Sequence, residues 1–191
     1  MPSQPLHLLL LPALLLPALC HAQAWQYHKD FEGRFAVEVP GEMASSTDTV
    51  EAPVGQLVYH TAFYQPPKAD KASDNLMYMV SYCDYPEGTF HKDSLSLTTA
   101  FFEATMDAAA FSVNGELLYQ TERAYRGQPG RFWRIDYLDG NAIIKTWGIL
   151  DGDRYYAVQT ATVKTRSLNT SSDRFFDSFR IIPPEGLPPD E

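Results

Sequence analysis

Hydrophobic and polar positions alternate along much of the chain after residue 24, as they do in half-buried β-strands. The first such run is Phe35–Val39, and Pro40-Gly41 directly after it predicts a turn. The next two runs, over residues 47–51 and 57–64, predict a hairpin that turns at residues 53–55, and a further strand is predicted over residues 76–85. The polar stretch 66–74 predicts a flexible loop between the hairpin and that strand.

Between residues 93 and 115 the spacing of apolar residues changes to alternate steps of four and three, which predicts an amphipathic helix. The apolar stripe consists of Leu97, Phe101, Ala104, Ala108 and Phe111. Asp93 or Ser94 can cap the start of the helix, and Asn114-Gly115 can end it.

Four more strands are predicted after the helix, over residues 116–126, 131–139, 142–150 and 155–163. The turns between them are so short that neighbouring strands must be antiparallel. A last short helix, capped by Ser172, carries Phe175, Phe176 and Phe179. The sequence therefore predicts one α+β domain over residues 25–182, an antiparallel sheet with helices packed on it, followed by a Pro-rich irregular tail over 183–191.

The N-terminal segment 1–24 contains no Asp, Glu, Lys or Arg, and its apolar run spans residues 6–19. Such a run is too short to cross a bilayer as a helix but suits the core of a signal peptide. Ala22-Gln23-Ala24 fits the cleavage pattern, so we expect export to the periplasm or the medium and no transmembrane segment in the mature chain. A lipid anchor on Cys20 is the less favoured alternative, because Leu19 stands where a small residue is needed.

The net charge of −9 argues against nucleic acid as a partner, since phosphate binding needs a basic surface. After cleavage, Cys83 is the single remaining cysteine. It cannot form a disulfide within the chain, and its place in the strand 76–85 predicts a small buried hydrophobic side chain.

The order of these elements resembles the PsbP-like α/β/α sandwich (Mog/PsbP-type), in its exported bacterial branch. Three local segments carry the resemblance: Phe35-Ala36-Val37-Glu38-Val39-Pro40, Arg126-Gly127-Gln128-Pro129-Gly130 and Phe175-Phe176-Asp177-Ser178-Phe179-Arg180. The resemblance implies a fold and a non-catalytic role as a binder or as an accessory factor of a larger assembly. It supplies no family-wide site residues, and a fold alone does not define a function.

Motifs of common enzymes are missing from the sequence: G-x-S-x-G, G-x-G-x-x-G, the P-loop and H-E-x-x-H. His28, His60 and His91 fall in three different predicted elements, and we assign no metal and no cofactor. The segments 139–141 and 151–153 resemble calcium loops only in composition, and we interpret them as tight turns. We therefore predict that the chain is not an enzyme.

Residues 123–180 carry ten basic and six acidic residues, in contrast to the acidic remainder of the chain. Four of the basic residues flank one turn: Arg123, Arg126, Arg131 and Arg134. If residues 127–130 form a four-residue loop, Arg126 faces Arg131 and Arg123 faces Arg134, which destabilises the ladder unless the charges are neutralised. The charges could be neutralised by a bound anion or by a partner's acidic side chain. They could also be neutralised by carboxylates of this chain, such as Asp136 and Glu122, and we favour this last interpretation.

Together these observations favour an exported, non-catalytic binding or accessory protein with an unknown protein partner. The alternative is a periplasmic carrier of a small apolar or anionic ligand, with Phe101, Phe102 and Met106 lining a pocket between the sheet and the helix 95–113. An exported hydrolase is a third and less favoured possibility. The oligomeric state stays open.

Overall fold

The computed structural model describes residues 25–52, 54–68, 70, 73–91 and 95–183. The expected signal peptide, Cys20, the Asp93 or Ser94 cap, residues 69, 71 and 72 of the expected loop and all of the tail except residue 183 lie outside this part. Neither α-helix in the described part is long and apolar enough to span a membrane.

Seven antiparallel strands form the larger of two sheets, in the spatial order β3-β4-β5-β9-β8-β7-β6. They are β3 (Ala44–Ala52), β4 (Gly55–Tyr64), β5 (Met77–Asp84), β6 (Glu116–Glu122), β7 (Gly130–Tyr137), β8 (Ala142–Asp151) and β9 (Arg154–Val163). Each of them was expected from alternation and turn residues, with shifts of a few residues at the ends.

A smaller antiparallel sheet has the order β1-β2-β10, formed by β1 (Gln26–Asp30), β2 (Phe35–Val39) and β10 (Arg180–Ile181). Only β2 was predicted. Strand β1 is mostly exposed and has no clear hydrophobic alternation, and β10 has two residues, so neither leaves a pattern in the sequence.

Helix α1 (Leu95–Ser112) connects the central strand β5 to the edge strand β6. This crossover carries it across one face of the larger sheet, where it contacts β6 and β7. Helix α2 (Thr170–Ser178) and the smaller sheet cover the opposite face. The expected α+β class is confirmed, with the smaller sheet as an addition to one of the outer layers.

The core on the α2 side is built from aromatic and branched side chains of β2, α2 and the larger sheet. Phe35, Val37, Phe175 and Phe179 are each fully buried there. Phe35 and Phe179 stack with ring centroids 6.1 Å apart, which joins the smaller sheet to the end of α2.

The cap of α2 differs from the expected one. Asn169 is the N-cap, and its side-chain oxygen accepts a hydrogen bond of 2.7 Å from the Ser172 backbone N–H. Ser172 lies inside the helix, fully buried, and its hydroxyl donates to the Asn75 side chain at 3.0 Å. Asn and Ser are both good caps, so the sequence alone did not decide between them.

Candidate interaction surface

Helix α1 lies close against the sheet through two side chains. Phe102 and Met106 are each 2% exposed and pack with Trp133 and Leu150. Gly148 of β8 makes this approach possible, because a Cβ at that position would lie 2.8 Å from the Trp133 ring and 3.2 Å from the Phe102 ring. The orientation of α1 about its axis is therefore fixed by a glycine in the strand beneath it.

An aromatic cluster anchors the first turns of α1. Phe101 makes edge-on ring contacts with Phe90, Tyr155 and Tyr85, at centroid distances of 4.9, 5.2 and 5.5 Å. The loop that leads to α1 is held by Asp153, whose carboxylate accepts hydrogen bonds of 2.8 Å from the backbone N–H groups of residues 88 and 90. The segment 151–153 is a turn, as expected.

Phe102 and Met106 face the sheet, as expected of residues between the sheet and the helix, whereas the apolar stripe defined by spacing faces outward. Leu97, Ala104, Ala108 and Phe111 are exposed, and only Phe101 of the predicted stripe is partly buried. At about 100° per residue, Ala104 lies roughly 160° around the helix from the buried Phe102. The helix carries apolar residues on both sides, and its only charged residues are Glu103 and Asp107.

We name the outward apolar stripe the α1 outer face, and it consists of Leu97, Ala100, Ala104, Ala108 and Phe111. All five residues are exposed, and Leu97 and Phe111 retain 43% and 89% of their accessible surface. Since an aromatic side chain offers about 150–250 Å² and an alanine much less, the face presents roughly 400 Å² of apolar surface. Patches of this size on a single chain are often functional.

The residues named in the carrier hypothesis pack against one another and on the sheet. Phe101 and Phe102 are 5.5 Å apart between ring centroids, and Phe102 and Met106 pack directly on the sheet. Phe102 and Met106 therefore belong to the core, and the partly buried Phe101 packs against it.

The turn between β6 and β7 also differs from the expected one. Tyr125 pairs with Gln128, so the hairpin turns at Arg126-Gly127, where both residues have positive φ (46° and 83°). Two residues with positive φ suit the twist of a two-residue hairpin. Glu122 consequently faces Arg131, and the expected pairing of arginine with arginine does not occur.

Three of the four arginines have carboxylate partners within the chain. Arg123 contacts Asp177 at 3.0 Å, Arg131 contacts Glu122 at 3.1 Å, and Arg134 binds Asp136 through two nitrogens at 2.7 and 3.0 Å. The Arg123 guanidinium also lies 4.2 Å from the Trp147 ring centroid, and that of Arg126 lies 5.8 Å from the Tyr125 ring. An anion or partner contact at these arginines stays a prediction.

A shallow depression of about 470 Å³ lies beside the C-terminal end of α1. Three carboxylates line it, those of Glu116, Asp136 and Asp139, together with Lys164. Asp136 is 7% exposed and already bound by Arg134, with Lys164 at 3.6 Å. The most buried carboxylate of the depression, that of Asp136, is thus already paired with cations of the same chain.

The remaining reactive side chains are separated or buried. Cys83 is fully buried, and burial, assisted by the Asp84 charge, raises the pKa of its thiol to about 11. The expectation of a small buried hydrophobic side chain is confirmed. His60 stacks on Tyr82 at 4.8 Å, and within the described ranges His, Cys, Asp and Glu form no group of three or more that could hold a metal ion.

Comparison with solved structures supports the expected fold. The chain is similar to the solution structure of cyanobacterial PsbP (CyanoP) from Synechocystis sp. PCC 6803, with a TM-score of 0.50 and 11% identity over 88% of this chain and 98% of that chain. A Pseudomonas aeruginosa protein of unknown function is similar with a TM-score of 0.33 and 9% identity, over 74% and 85% of the two chains. No family model and no curated protein match the chain. The fold is therefore PsbP-like, and identity this low defines the fold alone.

Proposed function

We propose that this chain is an exported, non-catalytic accessory protein that binds a protein partner through the α1 outer face. A single observation carries the proposal: α1 is apolar on both sides, and only one of these sides packs on the sheet. An apolar face of a helix is ordinarily buried against another element. Its second side therefore suits a contact with another molecule.

The side chains of the face also suit a protein contact. Phe111, with 89% of its surface exposed, offers an aromatic anchor, and the alanines beside it let a partner approach the helix closely. Helix α1 carries no Lys or Arg, so anionic lipid is a poor occupant.

The proposal contains no catalytic step. The Cys83 thiol is buried with a raised pKa, which removes it as a nucleophile at neutral pH. Carriage of a small ligand receives less support, because the space beneath α1 is filled by Phe102, Met106 and Trp133.

Site-specific photocrosslinking in the native host tests the partner contact. A benzophenone amino acid replaces Ala104 at the centre of the face and, as a matched control, Leu168 next to α2, which is 94% exposed. We expect a discrete heavier adduct from position 104, none from position 168, and loss of the adduct when Ala108→Glu is added. Equal labelling at both positions, or none at 104, would contradict the proposal.

Export is a separate part of the proposal and has its own test. It rests on the uncharged segment 1–24 with its apolar core. The intact mass of the protein from the host envelope should begin at Gln23 or Trp25. A mass that includes residue 1, or a mass that shows a lipid on Cys20, would contradict cleavage before Gln23 or Trp25.

A further inference from the structure

We infer that in the free protein the α1 outer face is covered by a second copy of the chain, packed antiparallel about a two-fold axis at Ala104. This inference rests on the proposed function only in taking that face as a contact surface. It concerns the occupant of the face when no other partner is bound.

The spacing of the face is symmetric about Ala104. Leu97 and Phe111 lie seven residues before and after it, and Ala100 and Ala108 lie four residues before and after it. In a two-fold interface each contact occurs twice, with the roles of the two residues exchanged. Two antiparallel copies of α1 centred on Ala104 therefore place Leu97 of each copy opposite Phe111 of the other.

The sizes of the side chains fit this arrangement. Alanines occupy the centre, so the two helix axes can approach to about 8 Å, the short end of the usual range. The large side chains lie at the two ends, about 21 Å apart along the helix.

The acidic residues lie beside this contact. The same symmetry places Glu103 level with Thr105 and Asp107 level with Phe101 of the other copy. Both acidic residues lie on the same flank in the two copies, and α1 offers no cation to balance them. We therefore expect added salt to strengthen the dimer, because it screens this repulsion.

The area of the face sets the strength of the contact. Roughly 400 Å² of apolar surface from each copy gives about 800 Å² in total, which is smaller than a stable specific protein–protein interface. A dimer of this size is weak and reversible. Another protein that covers the same face with a larger surface would displace the second copy.

The test uses the protein purified from its own host, with the variants Ala104→Cys and Leu168→Cys. Two residues at position 104 meet on the axis, so mild oxidation should link Ala104→Cys into a dimer at least tenfold faster than Leu168→Cys. The natural thiol of Cys83 is buried and does not interfere. Sedimentation equilibrium should show a monomer–dimer equilibrium that Ala104→Glu weakens at least tenfold, with an unchanged circular dichroism spectrum.

The results separate this inference from the proposed function. A monomer at several hundred micromolar, with equal oxidation of the two cysteine variants, overturns the dimer. If photocrosslinking at position 104 then still yields an adduct with a different protein, the proposed function stands without the dimer. An adduct of only twice the chain mass supports the dimer and contradicts a distinct partner.

Discussion

The orientation of α1 can be tested with two phenylalanines on the same helix. Phe102 is 2% exposed, whereas Phe111, which belongs to the apolar stripe defined by spacing, is 89% exposed. Replacing each by alanine in turn removes the same atoms from the two faces. The comparison therefore measures burial with little contribution from helix propensity, which alanine favours slightly at both positions.

The expected difference is large. Phe102→Ala removes a ring packed on Trp133 and Gly148 and should lower the free energy of unfolding by about 3–5 kcal/mol, the usual cost of such a cavity. Phe111→Ala removes a ring that lies in solvent and should change it by less than about 0.5 kcal/mol. Phe102→Leu, with a smaller loss, serves if the alanine variant does not fold.

Urea unfolding followed by circular dichroism gives both values. With a slope of about 2 kcal/mol per molar urea, the midpoint of Phe102→Ala should fall by roughly 2 M at unchanged slope, while that of Phe111→Ala should stay in place. The measurements belong at concentrations where the chain is monomeric. Equal losses, or a larger loss for Phe111→Ala, would refute the described orientation of α1.

Three further outcomes follow from individual contacts. Arg154 binds the Asp84 carboxylate at 2.5 and 2.6 Å and lowers its pKa. The free energy of unfolding that Asp84→Asn removes should therefore be constant above about pH 5 and shrink below pH 4. Urea midpoints measured at a series of pH values test this. Cys83 should resist thiol reagents at pH 8 in the native protein and react fully in urea; rapid native labelling would contradict its burial. Arg123→Ala should lower the free energy of unfolding, measured by thermal denaturation, by about 1 kcal/mol, because it removes the contacts with Trp147 and Asp177. Arg126→Ala should cost less than half of that, and equal costs would contradict the described contacts of the two arginines.

Most strands were predictable because their alternation and their turn residues agree. β2 has the expected bounds, and the meander from β6 to β9 follows from turns rich in glycine and aspartate. β8 and β9 are buried on both faces, so the turn residues at their ends were the more decisive signal.

Periodicity alone does not decide the orientation of α1. The stripes through Ala104 and through Phe102 both have helical spacing, so periodicity gives two equal answers. The choice between them depends on Gly148 and Trp133, which lie in strands that the sequence does not relate to the helix. An excess of apolar residues around the whole helix was the available signal for the α1 outer face.

The arginine turn failed on a local ambiguity. Gly127 and Gly130 both permit a turn, and a four-residue loop and a two-residue loop differ in register by two residues on each strand. The two-residue turn at Arg126-Gly127 brings Glu122 opposite Arg131, which removes the conflict between like charges. Electrostatic compatibility across the ladder would have favoured this register.

The pairing of β5 with β9 at the centre of the larger sheet has a kinetic consequence. Asp84 and Arg154 are neighbours across these strands although 70 positions separate them in the chain. Closing the loop between these two strands costs more conformational entropy than closing any hairpin in the sheet. We expect the meander and the β3–β4 hairpin to form early and the β5–β9 seam to close late. Substitutions along the seam should then act mainly on the unfolding rate, so that this seam sets the lifetime of the folded chain.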